Sequence, residues 1–283
     1  MSEQYLHRGD APFGAGVWEA IDNAVVGAAR SQLAGRRLLP ALGPQGLGAK
    51  ALPFGDAPVA QPPSAGSPTT PGGGGATDGV TVSTSCMIPV AMIHSEFALS
   101  VRDIAAYEQA GVPLDLNAAV KAALALARQE DQIVFNGLPS IGVVGLLDTP
   151  RVRSVKLRPW TNVGDAVQDI ISAVGELDAA GFLGPYALAL TPPSFNHLFR
   201  LYPQSDTTEL EHVRQVVTGG IIKAPALPGG GVLLDTSGPF AHIVLGQDMM
   251  TSFIGPAPAQ YEFAILESLA LWVQVPEAIC VLK

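Results

Sequence analysis

The residue types that most often carry chemistry are sparse in this chain of 283 residues. Cys86 and His94 are a thiol and an imidazole close together in the sequence, and such a pair could supply a nucleophile and its base. If both lay in one regular strand, their eight-residue separation would put them roughly 26 Å apart. The spacing therefore argues against a Cys–His nucleophile, and no Gly-x-Ser-x-Gly elbow offers a serine instead.

Two further groups of residues raise the question of a metal or phosphate site. Two histidines and two glutamates surround one predicted loop, namely His197, Glu209, Glu211 and His212. A metal site needs ligands that converge more closely, so we predict a solvated helix surface there. The glycine-rich residues 43–48 lack the helix and acidic residue of a dinucleotide fingerprint, which predicts turn glycines. Other prominent carboxylates are predicted to be surface or capping groups: Asp22, Asp103, Glu130 and Asp131.

These absences predict a protein that is not an enzyme, with no catalytic residue, no metal site and no cofactor. The one basic cluster is predicted to be a solvated or subunit-contacting loop, and its members are Arg151, Arg153, Lys156 and Arg158. The net charge of −9 argues against a partner bound through phosphate contacts, so we expect no nucleic acid.

The composition indicates where the apolar residues are hidden. Charged residues make up 14% of the chain, against roughly 25% in ordinary globular proteins. The mean hydropathy is +0.30, yet no run approaches the roughly 20 apolar residues of a membrane-spanning helix. We therefore expect an obligate oligomer rather than a membrane protein. Two cysteines without metal spacing and no visible signal segment favour the cytoplasm.

The elements that would position any site begin with an N-terminal helix. Apolar residues fall near helical spacing in one stripe, consisting of Val17, Ile21, Val25, Ala28 and Leu33. Gly35 follows where a helix end favours the left-handed conformation, and Arg36 and Arg37 would complement the helix dipole. The pattern predicts an amphipathic helix that ends at Gly35.

The rest of the chain predicts an α+β fold. Residues 57–79 are rich in proline and glycine, and they form either a flexible linker or the tip of an elongated hairpin. Helices are predicted at residues 100–110, 115–135, 162–177, 194–201 and 209–218. Strands are predicted at residues 86–99, 186–190, 231–235 and 242–245, and in a long run from residue 261. This order is not a regular βαβ series.

Ordered segments along the chain resemble the encapsulins, which are bacterial nanocompartment shell proteins. Residues 33–39 read LAGRRLL, residues 130–137 read EDQIVFNG, and residues 273–283 read VQVPEAICVLK. Similar segments occupy residues 5–8, 18–22, 43–44, 142–147, 184–188, 219–222 and 245–248. The resemblance implies the Hong Kong 97 phage major capsid fold. A peripheral (P) domain would comprise residues 1–45, 80–136 and 221–283, an extended E-loop arm 46–79, and an axial (A) domain 137–220.

The resemblance also implies a function and two sites. The chain would be a self-assembling shell protein that forms a cytoplasmic icosahedral homo-oligomer of sixty or more subunits. It would enclose a cargo enzyme by binding the cargo's C-terminal targeting peptide. The binding residues would be Ile21, Val25, Ala29, Leu33, Arg36, Arg37, Leu38 and Leu39. A five-fold pore loop would contain Tyr202, Gln204, Ser205, Asp206, Thr207 and Thr208. The alternatives are a phage-type major capsid protein that holds DNA and a peptidase.

Overall fold

The computed structural model describes residues 3–58 and 83–283. Its α-helices are α1 (Ala15–Gln32), α2 (Gly35–Leu38), α3 (Val101–Ala110), α4 (Asn117–Asn136), α5 (Asp165–Ala179), α6 (Pro192–His197) and α7 (Glu209–Val216). Its strands are β1 (Ala41–Leu42), β2 (Ala51–Pro58), β3 (Ser83–Pro89), β4 (Ala91–Ser100), β5 (Gly137–Leu138), β6 (Val143–Val144), β7 (Arg153–Val155), β8 (Tyr186–Leu190), β9 (Gly220–Lys223), β10 (Gly231–Asp235), β11 (Ala241–Ala257), β12 (Gln260–Val273) and β13 (Ile279–Leu282). The α+β prediction is confirmed.

Two strands form an arm beside the body of the subunit. β2 and β3 pair antiparallel, from Ala51 opposite Pro89 to Pro58 opposite Ser83. The flanks of the proline- and glycine-rich segment therefore form a hairpin rather than a linker between domains. Residues 59–79 of that predicted segment lie outside the described residues. The single strand predicted at 86–99 is wrong, because β3 ends before Val90 and β4 begins after it.

The first large sheet has the strand order β1-β11-β12-β4. The antiparallel hairpin of β11 and β12 dominates it, and β11 is 17 residues long. The short strand predicted at residues 242–245 is therefore wrong. Register shifts near Gln247 and Met250 let the strand continue through a polar stretch that hides the alternating pattern.

The second large sheet has the order β7-β13-β10-β8-β9. It brings residues 279–282 and 231–235 together with residues 186–190 in one antiparallel array. The division that was predicted at residue 220 consequently does not separate the two sheets. β9, β10 and β13 lie in the same sheet as β8, although the prediction assigned residues 221–283 to the P domain.

The core joins these sheets through α4 and α2. One buried cluster spans both sheets and contains Ile243 and Leu271 together with Ala187 and Val232. A second cluster packs α1 and α4 against β4, β11 and β12 around the fully buried Phe263. No helix within the described ranges is both long enough and apolar enough to span a bilayer.

Local capping signals explain where α3 begins and ends. The Ser100 hydroxyl accepts a hydrogen bond from the Asp103 amide at 3.4 Å, and this cap begins α3 as predicted. Gly111 ends the helix with a φ of 65°, a conformation that favours glycine.

Candidate functional site

The predicted cargo-binding apolar residues do not form an exposed wall. All six are buried within the subunit, at 5% exposure or less: Ile21, Val25, Ala29, Leu33, Leu38 and Leu39. Ile21 and Val25 pack into the cluster around Phe263, and Leu38 and Leu39 pack between the two sheets. The structure corrects this expectation, because an apolar stripe on a helix indicates burial without saying whether the core or a partner covers it.

A surface pocket of about 150 Å³ lies beside the C-terminal half of α1. Its lining residues are Val26, Ala29, Arg30, Leu33, Arg36, Asp248 and Met249. The edges of Ala29, Leu33 and Arg36 thus reach the surface together, while Ile21, Val25, Arg37, Leu38 and Leu39 do not line the pocket. Val26 is 39% exposed and provides apolar surface that the buried stripe does not.

Sequence reasoning missed four residues of this pocket, which are Val26, Arg30, Asp248 and Met249. Val26 lies next to the stripe rather than in it, so the 3.6-residue period excluded it. Asp248 and Met249 belong to the part of β11 that was not recognised as strand. A valine just outside the stripe was the available sequence signal, but its exposure is visible only in the structure.

Arg36 lines the pocket and forms three ion pairs. Its Nε donates to Glu130 Oε1 at 2.8 Å, its Nη1 to Asp248 Oδ1 at 2.8 Å, and its Nη2 to Glu267 Oε1. The side chains of Glu130 and Glu267 are fully buried, whereas Asp248 is half exposed. Arg36 was predicted to bind the cargo peptide, but each of its three guanidinium nitrogens donates to a carboxylate of its own chain.

Asp131 fastens the segment that joins α1 to α2. Its carboxylate accepts hydrogen bonds from the amides of Ala34, at 3.1 and 2.9 Å, and of Gly35, at 2.8 Å. Gly35 does not end α1 in a left-handed conformation, and that prediction is wrong. It begins α2 instead, and an added Cβ there would lie 3.2 Å from Asp131 Oδ1, so the close approach of this carboxylate favours glycine.

Glu130 and Asp131 were predicted to lie at the surface, and this prediction is also wrong. Both are buried, and burial shifts the pKa values of ionisable groups at this site. Burial raises the pKa of Asp131 to about 6, although the amides of Ala34 and Gly35 oppose the shift. Burial and the neighbouring Glu130 raise the pKa of Glu267 well above its usual range, against the attraction of Arg36. Burial opposes the charge of Arg36, but its acidic partners outweigh burial and raise its pKa.

The predicted pore loop is a compact turn between α6 and α7. The amide of Tyr202 donates to the Thr207 carbonyl at 3.1 Å, and the amide of Ser205 donates to the Tyr202 carbonyl at 3.1 Å. Gln204 adopts a φ of 60° at the tip, where Ser205 and Asp206 are also exposed. Thr208 caps α7 by accepting the Glu211 amide at 3.3 Å. The loop therefore presents a polar tip on a hydrogen-bonded base.

Glu209 stabilises the residues next to this loop. It was predicted to lie on a solvated surface, and that prediction is wrong. It is fully buried, and it accepts hydrogen bonds from Arg200 Nε at 2.9 Å and from the Gly164 amide at 2.7 Å. Arg200 also donates to the Trp160 carbonyl at 2.8 Å. Among residues 3–58 and 83–283, no group of three or more acidic, histidine or cysteine side chains is arranged to hold a metal ion.

Comparisons with known proteins identify the family of this chain. The family described as "Encapsulating protein for peroxidase" matches residues 3–270. The chain belongs to this family, the encapsulins. It is 30% identical to the type 1 encapsulin shell protein EncA of Myxococcus xanthus, over 99% of this chain and 96% of that protein.

Solved structures similar to this encapsulin identify its fold. The virus-like particle from Pyrococcus furiosus matches with a TM-score of 0.70 and 21% identity, over 94% of this chain and 99% of that chain. The capsid of Myoviridae phage XM1 matches with a TM-score of 0.58 and 14% identity, over 87% and 89% of the two chains. This encapsulin therefore has the Hong Kong 97 capsid fold, and its family is one of structural shell proteins.

Proposed function

We propose that this chain assembles into a closed icosahedral shell of sixty or more subunits and encloses a cargo enzyme in the cytoplasm. The pocket beside α1 supports the enclosure step, because it joins exposed apolar surface to polar groups at a site that the subunit leaves open. The family description names a peroxidase as the enclosed protein, which supports an enzyme as cargo. A C-terminal peptide of the cargo would occupy the pocket.

The lining of the pocket suits a short peptide segment. Val26 and Met249 offer apolar contacts, while Arg30 and Asp248 offer a cation and a carboxylate at the rim. Among the described residues Arg30 forms no ion pair, so its guanidinium is available to a peptide carbonyl or carboxylate. Each contact is modest, but identical sites repeated over one shell multiply the attachment of an oligomeric cargo.

Large apolar side chains that are exposed in the single subunit support assembly with further copies of this chain. They are Met87, Met92, Val112, Ile141, Val144, Leu183, Phe199 and Leu201. Met87 and Val144 line one surface pocket, and contiguous exposed apolar surface of this kind indicates an interaction site. We propose that subunit contacts cover them. The polar loop at residues 202–208 would then lie at the five-fold vertex, on an A domain that extends the predicted 137–220 by β9, β10 and β13.

Expression of the chain alone tests the assembly step. We expect hollow particles of megadalton size in electron micrographs and in size-exclusion chromatography. A monomer or dimer would contradict the proposal. Particles filled with genome-length DNA would favour the phage-type capsid protein. A hydrolytic activity that persists after co-purifying proteins are removed would favour the peptidase.

Substituting Val26→Glu tests the pocket. We expect the particles to assemble normally, because Val26 is exposed, and cargo loading to fall at least ten-fold, because a charged side chain replaces the apolar contact. Loading is measured as the cargo-to-shell ratio in purified particles from cells that express the natural cargo. Substitution of the buried Ile21 or Val25 would be less informative, since it would disturb the core.

Ser31→Glu is the matched control for this experiment. Ser31 is exposed on α1, but it does not line the pocket. The control should load cargo as the unmodified chain does. Equal loading by Val26→Glu and Ser31→Glu would place the dock elsewhere.

A further inference from the structure

Glu130 and Glu267 each leave one buried oxygen without a hydrogen donor. Their Oε1 atoms bind Arg36, whereas both Oε2 atoms are buried and, among the described residues, have no hydrogen-bond partner as ionised carboxylates. The two carboxyl groups bind the same guanidinium, Glu130 at Nε and Glu267 at Nη2, so they lie side by side. Two ionised carboxylates side by side repel each other. A single proton shared between their Oε2 atoms would satisfy both oxygens.

The charges around this pair favour retention of a proton. The charged groups around the pair come from three elements. Glu130 of α4, Arg36 of α2 and Asp248 of β11 act on Glu267, while Asp131 of α4 lies next to Glu130 and interacts with Arg37 of α2. Opposite Glu267 on β4 lies Ile93, which adds no charge. Counting Glu267, four carboxylates therefore surround two guanidinium groups. Of the three carboxylate partners of Arg36, Asp248 is the one that is exposed to water.

We propose that Glu130 and Glu267 form a buried proton-binding site that retains one proton near neutral pH and releases it as the pH rises, weakening the joint between α2, α4 and β12. Glu267 donates the shared hydrogen bond and Glu130 accepts it. Loss of the proton leaves two adjacent buried anions and one guanidinium. Asp248 competes for the same guanidinium and is the partner that can turn to solvent. The inference concerns the subunit itself and holds whatever occupies the pocket.

The direction of the pH dependence follows from linkage. Burial raises the pKa of Glu267 in the folded subunit above its value in the unfolded chain. The folded state therefore holds the proton over a pH range in which the unfolded chain has already lost it. Stability from this site is complete at acidic pH and declines as the pH rises through the folded pKa. This dependence is opposite to that of an ordinary surface carboxylate paired with arginine.

Infrared spectroscopy of assembled particles tests the site directly. At pH 7 we expect the carbonyl band of a protonated carboxylic acid, and we expect it to disappear on titration to alkaline pH. The band should be strongly reduced at pH 7 in Glu267→Gln, where only the minor protonated fraction of Asp131 still contributes. This variant keeps the hydrogen bond to Glu130 without an ionisable group. We also expect its thermal midpoint to exceed that of the unmodified particle at pH 8 by on the order of 5 °C, and to match it near pH 5.

Glu262→Gln provides the matched control on the same strand. Glu262 lies on β12 but is not a partner of Arg36, so the acid band and the pH dependence should remain. Absence of the band from unmodified particles at pH 7 would overturn the proposal, and this measurement requires no variant to fold. A Glu267→Gln particle that is less stable than the unmodified one at pH 8 would overturn it as well.

Discussion

Replacing Arg36 with methionine is expected to destabilise the folded subunit by about 3–5 kcal/mol, since removal of one partner leaves buried charge without compensation. Glu130 and Glu267 are fully buried, and Arg36 is their charged hydrogen-bond donor among the described residues. Methionine fills a similar volume, so the loss measures charge rather than packing. We expect a thermal midpoint at least 8 °C lower at pH 8, from calorimetry of particles at one scan rate.

Two companion variants separate charge from other causes. Arg30→Met removes an exposed guanidinium from α1 that makes no ion pair within the described residues, so it should change the stability by less than about 0.5 kcal/mol. Adding Glu267→Gln to Arg36→Met should restore part of the loss, because one buried anion is gone. If Arg36→Met and Arg30→Met proved equally stable, the assigned role of Arg36 would be wrong.

Replacing Phe263 with alanine is expected to cost about 3–5 kcal/mol of subunit stability through the cavity that it creates. The Phe263 ring stacks on Phe97 with centroids 5.0 Å apart and lies 5.7 Å from Trp18 and 5.9 Å from Phe13. These contacts join β12 and β4 to the N-terminal segment and α1. The substitution should therefore loosen α1 as well as lower the thermal midpoint.

Thermal denaturation of purified particles, followed by tryptophan fluorescence, measures this effect. Phe263→Leu should lose less stability than Phe263→Ala, because it leaves a smaller void. Tyr5→Ala is the aromatic control, since Tyr5 is exposed, and it should shift the stability by less than about 0.5 kcal/mol. A Phe263→Ala particle as stable as the Tyr5→Ala particle would contradict the assigned core.

Local sequence signals predicted the elements whose residues interact mainly with their own neighbours. The strands at residues 186–190 and 231–235 have the predicted bounds, and the Ser100 cap with Gly111 defines α3. In contrast, only residues 242–245 of β11 were predicted as strand, because its register shifts near Gln247 break the two-residue alternation. The other arm of the hairpin, β12, stabilises this irregular stretch, and pairing between residues 21 positions apart, such as Gln247 and Ser268, is not visible in a local pattern.

The candidate site was predictable only in outline, for a related reason. The apolar stripe located α1 correctly, but the same stripe faces the core, so the exposed Val26 had to come from the structure. Glu130, Asp131 and Glu209 read as surface residues because charged side chains usually are exposed. Glu130 is paired with Arg36, Asp131 with the amides of Ala34 and Gly35, and Glu209 with Arg200. For Glu130 and Asp131 these partners are distant in sequence, so a local pattern does not show them.

The position of β13 within the second sheet affects when the subunit can be completed during its synthesis. β13 pairs antiparallel with β10 on one side and parallel with β7 on the other, so the sheet is divided until residues 279–282 join it. A nascent chain that has not yet been extended through these residues lacks this joining strand. Subunits competent to assemble should therefore appear only after these residues have been translated, and incomplete chains would be kept from joining a growing particle.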